Sequence, residues 1–192
     1  MTKIVLASRS PRRQELMKML GFDFTTVPGK IDEEKYFHLK PAELVQKLAR
    51  AKVEEVAGLV EDTVIIGADT VVVMDNRILG KPENLEDAKE ILGKLQDRHH
   101  SVLTGLAVYD TVSEKERVDY DRTDVYMREM TEEEIDGYVK TGEPMDKAGA
   151  YGIQGIGGIF VEKINGSFFT VMGLPIHKLI LMLKEFSIDL FN

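Results

Sequence analysis

The sequence predicts a mixed-sheet fold of the α/β or α+β class. Strand-like and helix-like segments follow one another without strict alternation, and no segment repeats another. With 192 residues, the chain can bury roughly 70% of the surface that it would expose when unfolded. We therefore expect one domain over residues 1–192, with two lobes as a variant of that arrangement.

The first part of the chain predicts strands and helices in turn. Residues 3–7 predict a short buried strand, and residues 11–20 predict a helix with Ser10 as its N-cap and Pro11 at its first position. A strand is predicted over 22–27. Residues 41–59 carry apolar side chains at helical spacing.

The middle of the chain predicts most of the sheet. Residues 63–74 are rich in β-branched side chains, and Asp75-Asn76 predicts a turn into a strand over 77–79. The next predicted elements are a helix over 84–96 and strands over 101–109 and 117–127.

Turn and cap signals predict the last elements. Thr131 and Glu134 have capping-box spacing at the head of a helix. Asn165-Gly166 predicts a hairpin between 159–164 and 167–172, and a final helix is expected from Pro175.

Composition excludes several classes of function. The formal net charge of -8 disfavours nucleic-acid polymers and anionic lipid as partners. The absence of cysteine excludes disulfides and thiolate chemistry. No apolar run approaches the ~20 residues of a membrane span, and none near the first residue has the length of a signal peptide, so we expect a cytoplasmic protein. Its oligomeric state stays open, with a homodimer among the assemblies it allows.

The segment from Ser8 to Arg13 lies between a predicted strand and a predicted helix. Backbone N–H groups at a helix start and arginine side chains suit a phosphate chain. A capped helix with solvated arginines explains the pattern about as well.

Asp69 is the strongest single candidate for chemistry. A carboxylate within so apolar a run is costly to bury unless it meets a cation or a metal. We expect the Gly-Ala-Asp-Thr run at 67–70 to break the strand and to place Asp69 at a sheet edge. The alternative is a turn aspartate between two strands.

Lysines, glycines and acidic residues supply weaker candidates. Lys52, Lys81 and Lys147 could bind phosphate, although single lysines are usually solvated. The glycine-rich run at 152–158 offers backbone N–H groups, or is a flexible linker. The acidic run at 32–34 could give an oxygen ligand to Mg²⁺ or Mn²⁺. No pair of histidines has metal-ligand spacing on a helix, so His38 and His177 are expected to be ordinary surface residues or residues with satisfied hydrogen bonds.

Taken together, these segments resemble the Maf family, which shares its fold with inosine triphosphate pyrophosphatases. The match includes the runs Leu-Ala-Ser-Arg-Ser-Pro-Arg-Arg at 6–13, Gly-Ala-Asp-Thr at 67–70, Gly-Lys-Pro at 80–82, Asp-Lys-Ala-Gly-Ala-Tyr-Gly-Ile-Gln-Gly at 146–155 and Met-Gly-Leu-Pro at 172–175. The resemblance implies an elongated, two-lobed α/β fold with a cleft between the lobes.

The resemblance also implies roles for individual residues. Asp69 matches the catalytic aspartate, and Glu33 an acidic residue near a divalent metal, Mg²⁺ or Mn²⁺. The positions that match triphosphate contacts are Ser8, Arg12, Arg13, Lys52 and Lys81. Arg12, Thr70 and Gln154 match positions linked to base choice.

The implied activity is hydrolysis of a nucleoside triphosphate to the monophosphate and pyrophosphate. The Ala-Asp-Thr and Tyr-Gly-Ile-Gln forms resemble the branch that acts on dTTP and UTP, and modified pyrimidine nucleotides are compatible with it. The alternatives are a 7-methyl-GTP pyrophosphatase, a nucleotide-binding regulator of septum formation, and a nucleotidyltransferase. Nucleotide house-cleaning and division control are both compatible with these residues.

Overall fold

The computed structural model describes residues 2–191. Within them lies one seven-stranded sheet. Its strands are β1 (Lys3–Leu6), β2 (Thr25–Thr26), β3 (Thr63–Met74), β4 (Arg77–Leu79), β5 (His99–Asp110), β6 (Glu116–Met127) and β7 (Val161–Asn165). The helices are α1 (Pro11–Met19), α2 (Pro41–Ala57), α3 (Leu85–Leu95), α4 (Glu132–Lys140), α5 (Phe168–Met172) and α6 (Ile176–Lys184).

The sheet is mixed, so the predicted α/β mixed-sheet class is confirmed. Its strand order is β2-β1-β3-β5-β6-β7, and β4 pairs with β3 off this path. Strand β1 is parallel to both β2 and β3, whereas β4 is antiparallel to β3 and β7 is antiparallel to β6. The predicted strand over 22–27 is reduced to Thr25–Thr26.

The chain divides into two compact units. The first contains residues 2–69, 104–121 and 173–191. Its core includes Val5, Val53 and Ile65. The second contains Thr70–Leu103 and Arg122–Met172, with a larger core that includes Leu92 and Phe160.

The turn and the helix cap that local sequence signals predicted are present in the structure. Asp75 and Asn76 have φ of 49° and 60°, the left-handed region that a tight hairpin turn requires, and they join β3 to β4. Helix α4 begins with both hydrogen bonds of the capping box between Thr131 and Glu134. The Asn84 side chain caps α3 by accepting a hydrogen bond from the Asp87 N–H.

The predicted hairpin around Asn165-Gly166 is wrong. Strand β7 forms, but it pairs with β6, and the second predicted strand is the helix α5. Ser167 explains the difference, because its N–H donates to Thr123 Oγ1 at 2.8 Å and its carbonyl accepts from the same hydroxyl at 3.0 Å. These bonds fix the chain on β6 immediately after the turn, where α5 then begins.

Helix α2 lies close to the sheet at two glycines. A Cβ atom on Gly67 of β3 would be 2.6 Å from the Ala49 carbonyl oxygen, and one on Gly105 of β5 would be 2.1 Å from the Val45 carbonyl oxygen. Both distances are far below van der Waals contact, and both involve helix backbone. The absence of two side chains therefore sets the distance between α2 and the strands.

We expect Gly105→Ala to lower the free energy of unfolding by about 2 kcal/mol or more, because the new methyl group must displace helix backbone. The matched control is Gly93→Ala within α3, where a Cβ meets nothing within 4 Å. That change should be neutral or raise stability by up to about 1 kcal/mol through helix propensity. Urea denaturation measures both, and equal effects of the two substitutions would contradict the close-approach argument.

Candidate functional site

Asp69 lies within an uninterrupted strand, so the predicted break and the predicted sheet-edge position are wrong. Strand β1 pairs with residues Thr63–Ile66 of β3 and β4 pairs with Val72–Met74, and Asp69 lies between these two paired segments. Strand β3 itself stands between β1 and β5 in the sheet. The β-branched residues on both sides explain why β3 continues through Gly67.

Asp69 and Lys52 form a close ion pair. Lys52 Nζ donates a hydrogen bond to Asp69 Oδ1 at 2.5 Å, and the side chains are only 14% and 11% exposed. The expectation that the Asp69 carboxylate meets a cation is therefore confirmed, and the cation in this structure is the ammonium group of Lys52.

The glycine two residues before Asp69 explains the pairing. Alternate residues of a strand share a face, so Gly67 and Asp69 point to the same side of β3. A Cβ on Gly67 would lie 2.6 Å from both the Ala49 carbonyl oxygen and Val53 Cγ2. Lys52 lies between these two residues along α2, so the close contact at Gly67 brings its side chain to Asp69.

Glu33 is the second carboxylate on Lys52. Its Oε1 lies 3.0 Å from Lys52 Nζ, although the side chain is 47% exposed. Gly29 lets the segment that leads to Glu33 lie close to α2, because a Cβ there would lie 2.9 Å from the Lys52 carbonyl oxygen. At 2.5 and 3.0 Å from one nitrogen atom, the Asp69 and Glu33 oxygens are no more than 5.5 Å apart.

Arg13 joins the segment before α1 to the same site. Its Nε donates to the Gly173 carbonyl oxygen at 2.7 Å, and its Nη1 to Ser8 Oγ at 3.4 Å. The Ser10 N–H also donates to Ser8 Oγ, at 3.1 Å. Ser8 is buried, and its hydroxyl oxygen accepts both of these bonds. Arg12 is close enough to Arg13 for their charges to interact.

The charges of this cluster are coupled. Burial raises the pKa of the Asp69 carboxyl above its ordinary value, and the positive charges of Lys52 and Arg13 oppose that rise. Burial lowers the pKa of Arg13, and the Asp69 charge opposes this. A carboxylate with a raised pKa is a better proton acceptor than an ordinary aspartate, which is the property that a general base needs.

Asp69 and Glu33 also fit a divalent cation. Among residues 2–191 there is no group of three or more His, Asp and Glu side chains that could hold a metal ion. However, Mg²⁺ is commonly bound through one or two carboxylates, with waters and substrate phosphates as its other ligands. The two carboxylates converge on one positive group, so their placement suits such a cation.

Thr70, Lys81 and Gln154 belong to the second unit. Lys81 is exposed in the loop between β4 and α3, beside Gly80, whose carbonyl oxygen accepts the Gly149 N–H at 3.0 Å. Thr70 is half-buried in β3, and Gln154 is exposed. The roles of these three residues stay predictions.

The ammonium group of Lys147 is bound to neighbouring residues of its own segment. Its Nζ donates to the Glu143 carbonyl oxygen and to Asp146 Oδ1, each at 2.6 Å. The side chain is 14% exposed. These contacts favour a role in holding its own segment.

Sequence reasoning missed the buried pair of His100 and Tyr151. His100 Nε2 lies 2.7 Å from Tyr151 Oη, and both residues are buried. The partnership joins β5 to the segment that leads to Gln154. Tyr151 lies in the run at 146–155 that carries part of the family resemblance, but its partner is 51 positions away in the sequence. His38 and His177 are exposed, as expected.

Comparison with known proteins gives the family. The family model described as Maf-like protein matches residues 3–186. The chain belongs to the Maf-like family. A relative from Dictyoglomus thermophilum named dTTP/UTP pyrophosphatase is 48% identical over 98% of each chain. One of the same name from Moorella thermoacetica is 47% identical, over 100% of this chain and 99% of its own.

One solved structure and one property of its own helices add to the description of this Maf-like chain. Among solved structures, it is similar to a HAM1 protein from Coxiella burnetii, with a TM-score of 0.48 and 14% identity over 96% of this chain and 100% of that one. Within residues 2–191, no helix has both the length and the apolar character needed to cross a membrane.

The coupling of Lys52 and Asp69 can be measured in a double-mutant cycle. Lys52→Met should destabilise the protein by about 3 kcal/mol, because it leaves a buried carboxylate without its cation. We expect that Asp69→Asn in the Lys52→Met background restores part of this loss, with a coupling energy of about 1–3 kcal/mol.

Denaturant unfolding of the four proteins in this cycle gives the coupling energy. Arg50→Met is the control, because Arg50 lies on the same helix in exposed ion pairs with Glu54 and Glu116 and should contribute less than about 1 kcal/mol. Additive effects of the Lys52 and Asp69 changes would contradict the pairing.

The buried His100 should make the folded protein less stable in mild acid. Burial, followed by the charge of His99, lowers its pKa to about 4, while Asp124 opposes the shift. An unfolded histidine titrates near 6.5, so the unfolded chain takes up this proton first as the pH falls. The contribution is fully present above about pH 6.5 and is lost towards pH 4, by at most about 3 kcal/mol.

Chemical denaturation at intervals from pH 7.5 to pH 4.5 measures this loss. His100→Gln keeps a polar partner for Tyr151 without a titrating group, so its stability should depend less steeply on pH. Equal slopes for the two proteins would show that other groups cause the acid sensitivity.

Proposed function

We propose that this chain hydrolyses dTTP and UTP to the monophosphate and pyrophosphate. The observation that carries the proposal is the convergence of Asp69 and Glu33 on Lys52, with Arg13 coupled to the same charges, in a Maf-like chain. Full-length relatives at 47–48% identity named dTTP/UTP pyrophosphatase support the choice of substrates. Modified pyrimidine nucleotides belong to the same proposal.

In the proposed reaction, Asp69 accepts a proton from the attacking water. The water oxygen forms a bond to the α-phosphorus, the bond from the α-phosphorus to the bridging oxygen breaks, and pyrophosphate leaves with that oxygen. In the metal-free protein, burial raises the pKa of the Asp69 carboxyl, and a raised pKa makes a carboxylate a better proton acceptor. Lys52 and Arg13 supply positive charge that offsets the charge growing on the leaving group.

A divalent cation, Mg²⁺ or Mn²⁺, held by Glu33 and Asp69 would lower the pKa of its bound water and polarise the phosphate. Glu33 and Asp69 would determine where the cation binds. Lys52 contacts both carboxylates and so fixes their relative positions.

The remaining assignments rest on the family resemblance. Ser8, Arg12 and Lys81 are proposed to contact the triphosphate, and Thr70 and Gln154, together with Arg12, to select the base. A single domain, a cytoplasmic location and a homodimer stay predictions, as do house-cleaning and division control.

The first experiment measures pyrophosphate release from dTTP, UTP, CTP, GTP and 7-methyl-GTP, with and without Mg²⁺ or Mn²⁺. We expect metal-dependent release from dTTP and UTP. Release chiefly from 7-methyl-GTP would keep the reaction and overturn the substrate assignment. No release from any nucleotide by folded protein would favour a nucleotide-binding regulator, and a requirement for a second substrate would favour a nucleotidyltransferase.

Asp69→Asn tests the catalytic assignment in the same assay. The change removes the charge and keeps the shape, so kcat should fall by roughly 10²–10⁴-fold, the usual contribution of a general base. Glu86→Gln on the exposed face of α3 is the control and should keep wild-type turnover. Near-normal kcat in Asp69→Asn, measured at a temperature at which the variant is folded, would contradict the assignment.

A further inference from the structure

Glu143 accepts three hydrogen bonds in the second unit. Its Oε1 accepts from Tyr138 Oη at 2.9 Å and from the Gly157 N–H at 3.1 Å. Its Oε2 accepts from the Ile156 N–H at 2.9 Å. Two of these donors are backbone amides of the glycine-rich run, so this side chain binds directly to that loop.

Tyr138 extends the same contacts to the start of the loop. Its hydroxyl group donates to Glu143 and accepts a hydrogen bond from the Gly152 N–H at 3.2 Å. Burial, followed by the hydrogen bond to Glu143, raises the pKa of Tyr138, so the hydroxyl keeps its proton. The Glu143–Tyr138 clamp, defined by these two side chains, thus holds both Gly152 and the amides of Ile156 and Gly157.

The glycines of the loop provide room for this clamp. A Cβ on Gly155 would lie 2.5 Å from Glu143 Oε1, and one on Gly157 would lie 2.4 Å from Tyr138 Oη. A side chain at either position would displace the group that fixes the loop. The N–H groups that the sequence offered to a ligand are therefore already bound at Ile156 and Gly157, and the glycine richness reflects internal packing.

Gln154 lies in the turn between the clamped ends. The Gly155 N–H donates to the Gly152 carbonyl oxygen at 3.2 Å, which closes a four-residue turn with Ile153 and Gln154 at its centre. Gln154 is exposed, whereas Gly152 and Gly157 are buried. Glycine-rich backbone is flexible unless other contacts restrict it. The clamp supplies those contacts on both sides of Gln154.

We propose that Glu143 is a positioning residue for base selection, which acts through Tyr138 and the turn at 152–155 to hold Gln154 in its binding conformation. The role rests on the proposed function, in which Gln154 contacts the base. Without the clamp, the turn must be ordered when substrate binds, and this entropy cost weakens binding. The chemical step involves Asp69 and should be affected much less.

The test compares Glu143→Ala, Glu143→Gln and Tyr138→Phe in steady-state pyrophosphate release from UTP. In Glu143→Ala we expect KM to rise about tenfold or more, with kcat changed by less than about threefold. Glu143→Gln keeps one carbonyl acceptor and should recover part of the loss. Glu162→Ala, which removes an exposed carboxylate from β7, is the matched control and should leave both constants unchanged.

A double-mutant cycle with Gln154→Ala separates positioning from general damage. If Glu143 acts through Gln154, Glu143→Ala should raise KM much less in the Gln154→Ala background than in the wild type. Amide hydrogen exchange at Ile156 and Gly157 should accelerate in Glu143→Ala by more than any loss of global stability accounts for. If Glu143→Ala unfolds, Glu143→Gln takes its place in the cycle.

Additive KM effects, or equal loss of kcat in all clamp variants, would overturn the positioning role. Unchanged hydrogen exchange in Glu143→Ala would overturn the clamp itself. No pyrophosphate release by the wild-type protein would instead overturn the proposed function, and with it this role. These outcomes can be told apart. The KM and kcat comparisons require an active wild-type enzyme, whereas hydrogen exchange tests the clamp whether or not the protein is active.

Discussion

The close approach of helix α2 to the sheet is the constraint on which the charged site depends. Glycines at 67 and 105 remove two side chains from the strand faces that meet the helix backbone. Lys52 then lies within hydrogen-bonding distance of Asp69, and Gly29 allows the loop of Glu33 to reach the same ammonium group. A wider separation would leave Asp69 buried without its cation, which is costly.

The second unit uses a carboxylate in a different way. In the Asp69 site, burial and neighbouring charges tune a group that can accept a proton. At Glu143, hydrogen bonds from two backbone amides and Tyr138 oppose the effect of burial, and together with Lys147 they lower the pKa of Glu143. Glu143 therefore stays ionised to lower pH than an ordinary glutamate, and the carboxylate remains an acceptor for the loop amides. Similar side chains are thus placed differently: Asp69 is paired with a cation, and Glu143 is bonded to loop amides.

Sequence reasoning succeeded where the signal was local. The capping box at Thr131 and the turn at Asp75-Asn76 depend on neighbouring residues, and both formed. It failed at Asn165-Gly166, where a typical hairpin turn leads into α5, because Ser167 bonds to Thr123, 44 positions away. It also failed at Gly67, which suggested a break but instead permits helix contact.

By itself the sequence determined the mixed-sheet class, most helices and strands and the family resemblance, and it singled out Asp69 as a buried carboxylate that should meet a cation. Only the tertiary structure decided that the partner of Asp69 is Lys52, that Glu33 shares it, and that the glycine-rich run is held by Glu143. The physical reason is the separation along the sequence over which each interaction acts. Propensity, capping and turn chemistry act over a few residues, whereas ion pairs and close backbone contacts join residues that only folding brings together.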